Sequence, residues 1–273
     1  MSEITHNLAQ VQERIAEAAL RAGRDPSEVT LVAVAKTFPA EAVIAAYRAG
    51  VRHFGENRVE EGATKIPAVH AAISGPRPTW HMIGHVQSRK ARAVVAHFDY
   101  VHSVDRPKIA RRLSRFAQEA GQTLPVLLEC NVSGEESKFG FDLPDWEHDE
   151  TRQNAFFTAV EEILVLPALA VQGLMTMAPF VADPETVRPV FASLRTLLET
   201  LRDRFPAHDW RHLSMGMTDD FEVAVEEGAT MVRIGRAIFG RRGNWETGGQ
   251  FASLVYQSTN VPISQFTDLT ESQ

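Results

Sequence analysis

Lys36 closes an apolar run, Leu31-Val-Ala-Val-Ala-Lys36, and is followed by Thr37-Phe38-Pro39. An amine at the end of a strand buried on both faces is costly, because desolvation penalises its charged form and lowers its pKa. The same shift supplies the neutral amine that attacks a carbonyl to form a Schiff base. The alternative is a lysine that leaves the sheet and snorkels to solvent. This run alone leaves both readings open.

A second group of candidates lies nearer the C-terminus. His212-Leu-Ser214-Met-Gly216-Met217-Thr218-Asp219-Asp220 passes from a strand through a small-residue turn into a helix, with Thr218 expected as its N-cap. Met231-Val-Arg233-Ile-Gly235-Arg236 ends a strand on glycine, where a backbone approaches a ligand closely. Loops of this kind hold phosphate through exposed N–H groups and helix dipoles. Ser214 would add a hydroxyl donor and Arg236 a charge, although Ser214 and Gly216 equally suit a plain tight turn. Arg233 lies inside its strand and needs either a ligand or a salt bridge across a barrel mouth.

Other polar residues sit at strand ends. Gly55-Glu56-Asn57-Arg58 places Asn57 as a helix N-cap, a donor to a ligand oxygen, or both. His81 and His85 flank the end of another strand without paired metal-ligand spacing, which favours satisfied histidines at a barrel mouth over a metal site. Cys130, the single cysteine, sits mid-strand as a small core residue. It excludes an internal disulfide and fits a reducing compartment.

The elements that must position these groups follow one rhythm. Residues 3 to 22 read as an amphipathic helix with Ile4, Leu8, Val11, Ile15, Ala18 and Ala19 on one stripe. Eight strands are then expected at 31–36, 53–56, 80–84, 100–104, 126–132, 170–176, 212–215 and 231–235. Helical patterns fall between them, among them 40–49, 106–120, 185–205 and 221–227. Such alternation demands a parallel sheet with helical crossovers. Eight units in about 250 residues match a closed (β/α)8 barrel of the TIM type. A doubly wound open sheet is the competing fold, but the turn after the first strand, Lys36 to Pro39, lacks the glycines that sheet uses. The expected domain is 1–242, with 243–273 as a C-terminal tail. The acidic, aperiodic stretch 141–154 is expected to be a solvated loop.

A formal charge of -7 over 273 residues argues against a general nucleic-acid binder. No apolar run approaches a bilayer span and no secretory signal opens the chain, so a soluble cytoplasmic protein is expected.

Taken together, these segments resemble the pyridoxal phosphate homeostasis proteins. The likeness rests on Val34-Ala-Lys36-Thr37, His53-Phe-Gly-Glu-Asn-Arg58, Trp80-His-Met-Ile-Gly84, Leu128 to Lys138, Gly173 to Pro179, Leu213 to Met217 and Val232-Arg-Ile-Gly235. It implies a single barrel similar to the N-terminal domain of alanine racemase (fold type III), with pyridoxal 5′-phosphate as cofactor. By position, Lys36 would form the Schiff base, and Ser214, Gly216, Gly235 and Arg236 would hold the phosphate. Arg233 would face the pyridine nitrogen and Asn57 would lie near the ring. This chain has Arg236 where the family often has a hydroxyl residue, leaving the backbone N–H and a guanidinium in its place. It also has Arg89 where the family commonly has asparagine, with only a local effect expected at the rim.

A cation beside the pyridine nitrogen disfavours its protonation and weakens the ring as an electron sink. The resemblance also implies that a racemase takes its second base from a further domain, which about 30 residues beyond the barrel do not build. The expectation is a monomeric carrier without a catalytic residue, whose partners are the cofactor and apo-enzymes that depend on it. An amino-acid racemase of the alanine racemase type is the alternative, and a cofactor-free Schiff-base aldolase a third.

Overall fold

Short runs rich in Val, Ile and Leu pair as strands, and the amphipathic stretches between them wrap outside. The computed structural model describes residues 2–240. Its elements are α1 (Glu3–Arg21), β1 (Thr30–Val34), α2 (Ala40–Arg48), β2 (His53–Glu56), α3 (Val59–Ala72), β3 (Thr79–Met82), α4 (Ala91–His97), β4 (Tyr100–Val104) and α5 (Pro107–Glu119). They continue with β5 (Leu124–Asn131), β6 (Phe141–Asp142), α6 (Glu150–Leu164), β7 (Leu169–Met175), α7 (Arg188–Arg204), β8 (His212–Ser214), α8 (Phe221–Glu226), β9 (Met231–Ile234) and α9 (Arg236–Phe239).

The strand order β4-β3-β2-β1-β9-β8-β7-β5 closes through a β4–β5 pairing, so eight parallel strands form a barrel. Closure leaves those strands without an open edge. The short β6 adds to β5 outside the ring.

The N-terminal helix follows its sequence stripe. Ile4, Leu8, Val11, Ile15, Ala18 and Ala19 are all buried, and Ser2 caps the helix by accepting from the Thr5 N–H. Arg14 forms a bidentate pair with Glu222 on α8, and the Asn7 amide donates to the Ile238 carbonyl of α9. This helix therefore packs beside the last two helices of the barrel.

Two expectations change. The first strand ends at Val34, so Lys36 stands in a turn beyond the ladder. The stretch 141–154 is more than a solvated loop, because it contains β6, a 3-10 turn at Trp146–His148 and the start of α6. Leu143 and Trp146 are buried within it, and the Trp146 indole N–H donates to Ser193 Oγ. Those two apolar residues anchor a segment whose acidic composition masked them. The expected tail, 243–273, lies outside the described residues. No helix among those described is long and apolar enough to cross a membrane.

Candidate functional site

All seven expected site residues fall on four neighbouring strands, β8, β9, β1 and β2, at or just beyond their C-terminal ends. That face is where βα loops of a barrel gather.

Lys36 is half-buried, and the next residue, Thr37, has φ 66°. A left-handed β-branched residue stores strain of about 1–3 kcal/mol and persists only when its surroundings fix it. Here they do so from both sides of Lys36. The Glu61 carboxylate accepts the Thr37 N–H, and Lys65 Nζ donates to the Ala35 carbonyl at 2.8 Å. Lys65 also binds Glu56 at 2.6 Å and Glu61 at 3.1 Å. Both Lys65 and Glu56 are buried between barrel and α3, and burial pushes the Glu56 carboxyl up to about 7 against the pull of Lys65.

After β8 the chain turns at Gly216, whose φ is 91°. A Cβ there would stand 2.6 Å from Ala224 Cβ and 2.9 Å from Phe221 Cα, so only glycine lets the loop lie against α8. The Gly216 carbonyl accepts the Arg233 N–H, joining the loop to β9. The helix N-cap is Asp220 instead of Thr218, and its carboxylate turns back to accept the Met217 N–H at 2.6 Å. Arg236 is exposed and bidentate to Asp219, at 2.8 and 2.7 Å, which ties the loop after β8 to the loop after β9. Its guanidinium is thus already paired. None of the hydrogen bonds between described residues engages the backbone N–H of Gly216, Arg236 or Ala237.

Arg233 is buried inside the barrel and, among the described residues, forms no hydrogen-bonded salt bridge across the mouth. Its Nη1 donates to the Ser214 carbonyl at 2.7 Å and Ser214 Oγ at 2.6 Å, and Nη2 donates to the Thr176 carbonyl at 2.8 Å. Burial lowers its pKa to about 10 despite the nearby charges of Asp220 and Glu129. Ser214 is fully buried, so its hydroxyl belongs to the barrel interior, where it also meets His102 Nδ1 at 2.9 Å.

His81 is likewise interior instead of at the mouth, because it precedes the end of β3 and its ring reaches His102 and His53. His85 does lie beyond β3, stacked on Phe139 with centroids 4.1 Å apart and Nδ1 3.0 Å from Asp105 Oδ2. Asn57 is not the N-cap of α3, a position held by Arg58. Its backbone packs so closely on Gly84 that a Cβ there would fall 2.2 Å from the Asn57 carbonyl oxygen. Among the described residues no group of three or more His, Cys, Asp or Glu side chains is arranged to hold a metal ion.

Sequence reasoning passed over Lys65, Glu61, His102 and Glu129. His102 and Glu129 carried a signal, a polar residue inside an otherwise apolar strand. Glu61 and Lys65 stand four apart on one helix face, but their partners across α3 and the barrel are not adjacent in the chain. Glu129 is buried with Oε2 unpartnered; burial, with a contribution from Asp105, raises it to about 7.

This fold and mouth define a class: the chain matches the family model for the alanine racemase N-terminal domain over residues 1–243. Curated relatives narrow the class. The pyridoxal phosphate homeostasis protein of Escherichia coli K12 is 45% identical over 246 residues, covering 89% of this chain and 98% of that protein. Its counterpart from Vibrio alginolyticus is 42% identical over 242 residues, covering 89% and 99%. The chain belongs to the pyridoxal phosphate homeostasis protein family. A solved structure of PipY from Synechococcus elongatus with pyridoxal phosphate bound is 37% identical, covers 84% of this chain and 100% of that chain, and superposes with a TM-score of 0.70.

Proposed function

We propose that this barrel binds pyridoxal 5′-phosphate as a Schiff base on Lys36 and serves intracellular homeostasis of the cofactor. In this reading it stores the cofactor and hands it to apo-enzymes without robust catalysis of its own. The observation that carries the reading is the placement of Lys36 and two donor-bearing glycine loops at the ends of four neighbouring strands. The residues present fit the group: an amine suits an aldehyde, and N–H groups with no acceptor among the described residues suit a phosphate. The relatives' names and the cofactor-bound PipY support the same assignment.

When bound, the cofactor supplies the aldehyde and an electron-withdrawing ring. The chain's own residues do the holding. Lys36 would supply its amine from a turn whose neighbouring backbone is held by Glu61 and Lys65. Gly216, Gly235 and the Arg236 backbone would take the phosphate, with Ser214 at the end of β8. Asn57 would hold the ring and Arg233 would serve the pyridine nitrogen, where its charge would oppose protonation. Of the described tyrosines, Tyr47 donates to the Pro76 carbonyl and Tyr100 to Gln172, so neither hydroxyl is placed as a second base opposite Lys36.

The test is to load the protein with the cofactor, desalt it and record the visible spectrum. Wild type is expected to keep a visible band that Lys36→Ala loses; a colourless wild type overturns the reading. Incubating the loaded protein with L- and D-alanine in deuterated water is expected to give no sustained exchange at Cα. Sustained exchange would make it a racemase.

A further inference from the structure

Barrel interiors are ordinarily filled by branched aliphatic side chains, yet here a polar spine crosses the core. His53 Nδ1 lies 3.0 Å from His81 Nε2, His81 Nδ1 lies 2.8 Å from His102 Nε2, and His102 Nδ1 lies 2.9 Å from Ser214 Oγ. Arg233 Nη1 closes the series at 2.6 Å from the same oxygen. His81, His102, Ser214 and Arg233 are buried, whereas His53, the first residue of β2, is half-buried at the opposite end of the barrel. Tyr100 packs on the spine, its ring 5.3 Å from His81 and 5.2 Å from His102.

Such a series runs in one of two directions, and the arginine selects between them. A guanidinium only donates, so Ser214 Oγ accepts from Arg233. The hydroxyl proton then points to His102 Nδ1, the acceptor within reach. A neutral imidazole that accepts at Nδ1 must donate at Nε2, and this passes from His102 to His81 and on to His53. Every N–H dipole then turns its negative end toward the buried cation. The reverse order would aim a row of positive ends at it.

We propose that His53, His81 and His102 form a one-way relay of neutral, Nε2-protonated rings that fixes the Ser214 hydroxyl and, through it, the orientation of Arg233. They are positioning residues for the face that Arg233 presents to a ligand. The inference rests on the proposed function only for which ligand atom that face meets. Burial holds all three rings below the ordinary imidazole range, His81 at about 3, in keeping with neutrality.

The test uses ligand-free, full-length protein with nitrogen-labelled histidine and arginine, so it stands apart from any failure of cofactor loading. Long-range proton–nitrogen correlation spectra are expected to show His81 and His102 protonated at Nε2 alone from pH 6 to pH 8. A proton on Nδ1 of either ring, or a charged ring, overturns the relay. Arg233 is expected to show separate, slowly exchanging Nη protons in wild type. These should collapse in His102→Phe, which removes the acceptor for Ser214. They should persist in His102→Gln, whose amide accepts and donates in the same order. Persistence in His102→Phe, or loss in both variants, overturns the positioning role.

Discussion

Lys65→Met removes the cation that three groups share beneath the Lys36 turn: the Ala35 carbonyl, Glu56 and Glu61. Glu56 is fully buried and its Oε2 already lacks a partner, so the lost ammonium leaves a carboxylate with no compensating charge. Deleting one member of a buried ion pair destabilises by about 3–5 kcal/mol. Glu56 has one escape, which is to bind a proton. Its carboxyl stands at about 7 in the folded wild type against an ordinary 4.5, so the folded state binds the proton more tightly than the unfolded one. Stability therefore falls as pH rises from 4.5 through that folded value, and losing Lys65 extends the fall upward. The expected loss in urea unfolding is about 3 kcal/mol at pH 8 and clearly less at pH 6, where protonation neutralises the orphan. Adding Glu56→Gln to Lys65→Met should recover part of the pH 8 loss, because a neutral amide needs no counter-charge. Equal losses below about 1 kcal/mol at both pH values would refute the argument. So would a double variant weaker than Lys65→Met alone.

Two further outcomes follow from the mouth of the barrel. Gly216→Ala forces a methyl group into Ala224 and Phe221 from a φ of 91°, and should lower stability by roughly 1–3 kcal/mol in urea. It should also reduce the protection that added inorganic phosphate gives against unfolding; unchanged protection would separate that loop from anion binding. Glu129 is held at about 7 by burial, with Asp105 adding to the shift, so wild-type stability drains as pH rises from 4.5 through that value. Glu129→Gln removes this dependence, and its melting temperature relative to wild type should climb between pH 5.5 and pH 8. Parallel profiles would show that the carboxyl does not titrate there.

The barrel was legible in the chain because its signal is local. Eight apolar runs separated by helical patterns admit few arrangements, and closure follows from their number and spacing. The α1 stripe was readable for the same reason, since six residues at helical spacing need one apolar surface. Lys36, Gly216 and Gly235 stood out as chemistry placed at strand ends. Errors arose where a local preference met a competing contact. Thr218 is a good N-cap type, yet Asp220 takes that position and folds back on the Met217 N–H. Stretch 141–154 looked solvated by composition, but Leu143 and Trp146 bury enough surface to fix it.

From its residues alone the chain determined that strands would alternate with helices, and which side chains would stand at the strands' ends. Only the folded barrel decided what those side chains touch. Ser214 and His102 are 112 residues apart, Arg233 and Thr176 are 57 apart, and each pair meets because closure brings non-adjacent strands across one narrow core. Periodicity records which face a residue occupies. It carries no record of the partner that a closed ring brings to that face, and here the partner sets the tautomer, the charge and the direction of each polar group.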